Sequence, residues 1–430
     1  MFKKLIILLL LYIINIPGHA GDINQSGFEF TTDRSSIRIP VDIAHNLIVL
    51  PLRINDGPEL NFILDTGVNQ TILTEPLVAR ALDLQTDDHV YIAGLGERGI
   101  IEAMRIKDVS IEIDQIRGKN QELLVIPEDV LSLSEMFGFE VHGIIGYDFL
   151  KEFPISINYP NDLIRIYRDS DYRVRRNSHI IPFELKNNKP YIDVTLTGKQ
   201  DTTTTLPLLF DLGASHTAYL NKDHYFLTSD TTIRSYLGKG ISGQMMGEEG
   251  RLKQMKLSED IIIEDPIIAY PDPDQMWIER MDIEWNGLIG GGILKRFHII
   301  VDYSTEQIVL RKNSDFGDRF NSNISGISLT AEGVRFENYV ITHVSPGSAA
   351  YEAGIRKGDN VMRINNKYAQ NLSLQDILDI LNSPTGTSIS MTVARDYIVK
   401  KENDEEEPEK EIQTKQHSFS FNLREDLPFR

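Results

Sequence analysis

From Ile37 to about residue 312 the chain keeps returning to one pattern, short stretches in which apolar and polar residues alternate, rich in β-branched residues and separated by turn residues. A period of two predicts half-buried β-strands. Such strands are legible at 37–43, 47–54 and 60–64, and Asn55-Asp56-Gly57 between the last two is a hairpin signal. Stretches long enough for amphipathic helices are scarce, so the first half is expected to be an all-β lobe.

The pattern then repeats itself. Gly143-Ile144-Ile145-Gly146-Tyr147-Asp148-Phe149-Leu150-Lys151-Glu152-Phe153 aligns with Gly287-Leu288-Ile289-Gly290-Gly291-Gly292-Ile293-Leu294-Lys295-Arg296-Phe297 at a constant offset of 144 residues. The match runs on to Tyr159 against Tyr303, and Ile39-Pro40 finds an echo at Ile181-Pro182. An internal repeat of this length implies two copies of one fold, over 21–170 and 177–312.

Each copy contains an apolar run that ends on an aspartate and a turn. Asn61 to Leu73 passes through Ile63-Leu64 into Asp65-Thr66-Gly67, and Leu208 to Leu220 passes through Leu209-Phe210 into Asp211-Leu212-Gly213. A strand that delivers a carboxylate into a glycine turn does not describe a plain surface charge. These two stretches resemble the paired catalytic loops of aspartic proteases of the retropepsin and pepsin group. That group also carries a hydrophobic-hydrophobic-Gly segment downstream of each aspartate, matched here by Ile144-Ile145-Gly146 and Leu288-Ile289-Gly290. The resemblance implies a mainly β fold of two pseudo-symmetric β-barrel lobes in one chain. It also implies that Asp65 and Asp211 form a catalytic dyad needing no metal and no cofactor, supported by Thr66, Gly67, Asn69, Leu212, Gly213 and Ser215. Leu212 departs from the group, where a Thr or Ser at this place braces the two loops across the lobe interface. Asn69 and Ser215 are expected to hydrogen-bond the carboxylates.

Gly94, Gly96 and Gly99 spell G-x-G-x-x-G, as do Gly238, Gly240 and Gly243. Neither copy sits in the strand-turn-helix setting that a dinucleotide site requires. Their common offset reads better as two hairpin tips. The resemblance makes them flaps closing over a polypeptide substrate, with Gly94, Leu95, Gly96, Gly238, Gly240 and Gly243 as substrate-binding positions. His142 and His216 lie near the motifs and are read as structural.

Beyond Asn321 the texture changes. Tyr339 to Lys367, with Pro346-Gly347-Ser348, Ala353-Gly354-Ile355, Gly358-Asp359 and Ile364-Asn365-Asn366, resembles the core of a PDZ domain, an α+β fold assigned to 320–430. Ser373 to Leu381 is the expected helix, with Ser373 as N-cap, and strands are expected at 388–393 and 417–423. The resemblance places the peptide-carboxylate loop at Gly326, Ile327, Ser328 and Leu329 and implies capture of peptide C-termini. The run 400–411 is too charged to pack and reads as a solvated hairpin excursion.

Composition narrows the picture further. The chain has 430 residues, 41% hydrophobic and 25% charged, enough for several cores. A net charge of −19 argues against nucleic acid as a partner. Lys3-Lys4, the apolar run 5–16 and the small residues Gly18 and Ala20 describe a cleavable signal peptide over 1–20, with a retained membrane anchor as the alternative. Absence of cysteine excludes disulfides and thiol chemistry. Asn69-Gln70-Thr71 is a glycosylation sequon beside Asp65 that would crowd the site if used, which favours a bacterial source. The expectation is an exported, periplasmic or extracellular monomeric endopeptidase, not held at a membrane after signal cleavage. A peptide-binding protein with a weakened site is the alternative.

Overall fold

The computed structural model describes residues 7–8, 12–14, 27–85, 88–97, 99–126, 131–228, 232–276, 285–320, 325–400 and 410–424. They fall into two compact units, one of residues 5–133 and 141–320, the other of residues 321–428 together with 134–140. The fold is mainly β.

Within the first unit the two halves build alike the strands that end on Asp65 and Asp211. Glu59–Leu64 lies between Leu47–Ile54, antiparallel with Val49 opposite Ile63, and Gly143–Ile145, parallel with Ile144 opposite Ile63. Thr203–Phe210 lies between Lys189–Thr197, with Tyr191 opposite Leu209, and Gly287–Ile289, with Leu288 opposite Leu209. Both are buried on two sides, which is why the sequence there loses its alternation and becomes a continuous apolar run. In the first half, pairing of Ile111 with Ile54 returns Ile100–Ile113 to the strand Leu47–Ile54. The sheet of the second half is an open path among the described residues.

A third sheet takes strands from both halves, in the order His179–Pro182, Gln307–Lys312, Phe297–Asp302, Ile155–Asn158, Leu163–Tyr167 and Ser36–Pro40. Ile157, Ile164, Ile299 and Ile308 point from it into one continuous core. With no disulfide available, burial of this kind carries the stability, at about 1.5–3 kcal/mol per fully buried Leu or Ile. The expected strand 37–43 is split, Ser36–Pro40 joining this sheet and Asp42–Ala44 another, because the chain changes sheets at Val41.

The second unit has strands Ile327–Glu332, Asn338–Val344, Asn360–Ile364, Ser388–Lys400 and Lys410–Asn422. Helix Leu374–Leu381 starts where the sequence predicts, and Ser373 and Asp376 form a reciprocal capping box. The charged excursion is shorter than expected, since strand pairing continues to Lys400 opposite Lys410. Residues 401–409 lie outside the described residues. Ile327 to Leu329 are strand rather than open loop, and Gly326 turns into them at φ 69°.

Candidate active site

Asp65 and Asp211 each leave the end of a buried strand, and each backbone is tied to the hydrophobic-hydrophobic-Gly segment beside it. Asp65 N–H donates to Ile145 O at 2.9 Å, and Asp211 N–H to Ile289 O at 3.0 Å. Gly146 and Gly290 follow those carbonyls and pass under the loops, where a β-carbon would sit 2.4 Å from Val68 O and 2.6 Å from His216 O, respectively. Only glycine fits such an approach.

The two aspartates face each other and are both 0% exposed. Gly67 N–H donates to Asp65 Oδ1 at 2.5 Å, and Gly213 N–H to Asp211 Oδ1 at 2.9 Å. The Oδ2 atoms of both have no donor among the described residues, and the carboxyls interact with one another. A β-carbon on Gly213 would lie 2.1 Å from Asp65 Cγ, so the second loop touches the first carboxyl. Burial pushes both carboxyls above the usual range, and at Asp65 the charge of Asp211 adds to it. Two carboxyls this close disfavour each other's ionised form, so the pair loses its first proton more readily than its second.

Thr66 Oγ1 donates to Phe210 O at 2.6 Å and accepts from Leu212 N–H at 3.0 Å, crossing from one loop to the other. Leu212 returns no such bonds and is fully buried in the core. The buried Oδ1 of Asn69 has no partner among the described residues. Ser215 is buried, and its carbonyl accepts Asn46 Nδ2–H at 2.8 Å. His142 Nδ1 accepts from Asn61 N–H at 3.1 Å in a structural role, and His216 Nε2 lies 3.5 Å from Glu249.

Both glycine-rich stretches are hairpins, Asp88–Ala93 with Ile100–Ile113 and Ile233–Gly240 with Gly243–Arg251. Their tips meet. Ser242 N–H donates to Leu95 O at 3.2 Å, and a β-carbon on Gly240 would stand 2.0 Å from that same oxygen. Gly238 is not at the tip but at a bulge, with φ 99°. The segments Ile7–Leu8 and Tyr12–Ile14 add as strands to these hairpins, Ile7 opposite Lys239 and Tyr12 opposite Ala93. An extended chain therefore fits along the flap edges.

One residue escapes a reading of the sequence. Lys189 closes the turn Asn187-Asn188, opposite Lys186, and is 0% exposed. Its counterpart in the first half is Leu47, which closes the turn His45-Asn46 opposite Ala44. Burial pushes the Lys189 ammonium down to about 7, while the nearby carboxyls of Asp65 and Asp211 favour its charge. The comparison with Leu47 could have revealed it, but the second hairpin is longer and breaks the constant offset. Tyr303 lies close to both aspartates as well, its phenol raised by burial and then by their charge.

The family model for aspartyl protease matches residues 50–149, a stretch that includes Asp65 and Ile144-Ile145-Gly146. That for the PDZ domain matches residues 340–395. Asp211 lies outside both matches, so its pairing with Asp65 rests on the internal repeat and the geometry. Among solved structures, the aspartic proteinase from Irpex lacteus is similar over 66% of this chain and 99% of its own, at 10% identity and a TM-score of 0.43. No curated protein matches the sequence.

Proposed function

We propose that this chain, which carries an aspartyl-protease domain and a PDZ domain, is an endopeptidase acting through Asp65 and Asp211. The observation that carries this reading is the pair of buried carboxyls, each anchored through one oxygen and each leaving the other towards its partner. The ionised carboxyl takes a proton from a water between them as the water oxygen bonds to the scissile carbon. The protonated carboxyl gives its proton to the carbonyl oxygen, forming a gem-diol. Collapse then breaks the C–N bond: the proton taken from water passes to the leaving nitrogen, and one diol hydroxyl returns its proton to the carboxylate that had protonated the carbonyl. The flap hairpins hold the substrate extended, as they hold Tyr12–Ile14.

Export to a bacterial cell envelope is part of the proposal, supported by the basic and apolar character of residues 1–20. Among the described residues no helix is long and apolar enough to cross a membrane. The PDZ domain is assigned the capture of substrate C-termini. The alternative, a peptide-binding protein with a weakened site, draws its support from Leu212 alone.

The test is hydrolysis of a peptide library across pH 3 to 8 by the chain starting at Gly21. Asp65→Asn and Asp211→Asn should each lose about 10³-fold or more in kcat while unfolding cooperatively. Substantial cleavage by either variant rejects the dyad, and activity regained on mixing them means pairing between chains.

A further inference from the structure

We propose that the outer face of the sheet shared by the two halves is a binding site for a polyvalent phosphate-type anion, held by Arg165, Arg173, Arg175 and Arg311. Strand alternation builds the site. In Leu163–Tyr167 the side chains of Ile164 and Ile166 are buried, which turns Arg165 and Tyr167 outward. In Gln307–Lys312 the inward positions are Ile308 and Leu310, which turns Arg311 outward. His298 stands directly opposite Arg311, and Asn158 directly opposite His298. Arg165 and Arg311 are three strand spacings and two residues apart, about 16 Å, within converging reach of two long side chains. The connection between the halves adds Arg173 and Arg175 above them.

These groups line a cavity of about 490 Å³ that contains no carboxylate. A second depression of about 850 Å³ shares Arg165, Arg173, Arg175 and Arg311, adds Arg176, and has Asp169 and Asp171 in its wall. Among the described residues none of the four guanidinium groups has an ion-pair partner, and Arg165 packs over the Tyr167 ring at 5.9 Å. The buried amide oxygen of Asn158, in the lining of the same cavity, also has no partner there. A half-turn of that amide would present two N–H donors to an anion.

In a chain of net charge −19, four unpaired arginines gathered on one face are an electrostatic cost unless something neutralises them. After burial, the charges of Arg311 and Arg175 hold His298 below its ordinary range, and after burial the charge of Arg175 lowers Arg311 itself. Guanidinium groups match phosphate oxygens in bidentate pairs. One isolated phosphate neither fills the cavity nor balances four cations, whereas a diphosphate comes closer to both and a surface of phosphomonoester headgroups presents several phosphates at once.

The experiment is titration calorimetry of the full chain with pyrophosphate and with orthophosphate at low salt, together with flotation on vesicles with and without phosphatidate. One pyrophosphate per chain is expected, bound at least tenfold more tightly than orthophosphate and weakened by salt. The variant Arg165→Ala/Arg311→Ala should weaken it tenfold or more. Arg173→Ala/Arg175→Ala, at exposed positions, should do the same without touching the sheet. Phosphatidate-dependent flotation lost in both variants, without pyrophosphate binding, assigns the same site to a lipid headgroup. Absence of both kinds of binding, or binding that survives both variants, overturns the proposal.

Discussion

Thr66 braces the two aspartate loops, since its hydroxyl both gives to Phe210 O and takes from Leu212 N–H. Thr66→Val keeps the shape and removes both bonds, leaving a buried carbonyl and amide unpaired, so a loss of about 1–3 kcal/mol is expected in denaturant unfolding. Leu212→Thr supplies the mirror-image hydroxyl at the expense of apolar packing. Activity equal or higher with an unchanged or raised melting temperature marks bracing, whereas a large stability loss marks Leu212 as packing. Lys189 makes a separate prediction about pH. Its positive charge favours the ionised forms of Asp65 and Asp211, lowering both steps of the pair's titration. In the proposed mechanism only the singly protonated pair is competent, so activity against pH should be bell-shaped. Lys189→Met removes the charge below about pH 7, where the lysine is protonated. Both limbs should then move to higher pH in a profile of kcat/KM, and an unmoved profile would show that Lys189 does not act on the dyad. Among single residues the two aspartates were legible because each ends an apolar run. Lys189 was not, because Asn-Asn-Lys-Pro reads locally as an exposed turn.

At the scale of elements, the flap hairpins meet through glycines at their tips. Gly240 approaches Leu95 O so closely that even a methyl group must part the tips. Gly240→Ala is therefore expected to lower kcat/KM on short peptides by about tenfold, through weaker closure over substrate, with little change in folding. An unaltered kcat/KM would remove tip contact from substrate binding. The N-terminal segment offers a second test. Since Ile7–Leu8 and Tyr12–Ile14 add to the same hairpins, the chain starting at Met1 should cleave more slowly than the chain starting at Gly21. Equal rates would mean that these strands do not compete with substrate. The hairpins were readable from the glycine pattern and its recurrence at a common offset. The meeting of their tips was not, because it joins Leu95 to Ser242 across the two halves.

For the whole molecule, the boundary of the first unit falls later than the end of its last strand. Arg251 donates to Phe320 O at 2.8 Å, Arg296 lies over the Phe320 ring at 3.8 Å, and Phe320 belongs to the core. A chain ending at Ser314 would strip these partners, so the informative truncation is after Phe320. If the PDZ domain recruits substrate, that truncated chain should keep its rate on short blocked peptides and slow on longer substrates with free C-termini. Residues 134–140 cluster with the PDZ domain, so the melting temperature must be followed alongside. Equal slowing on all substrates with a lower melting temperature would make the domain a stabilising cap.

The sequence by itself determined the mainly β class, the internal repeat, the two aspartate turns, the capped helix after Ser373 and the change of texture beyond Asn321. These are local periodicities and turn chemistries, set by which residues bury one face of a strand or satisfy one helix end. Tertiary structure alone decided which parts of the repeat meet. It brought the two carboxyls face to face, ran a threonine brace from Thr66 to Phe210, 144 residues away, and placed Lys189 beside the pair. It also gathered arginines from two strands and a connecting loop onto one surface. Such juxtapositions depend on how twisted sheets stack and which strands share an edge, and no window of neighbouring residues carries that information.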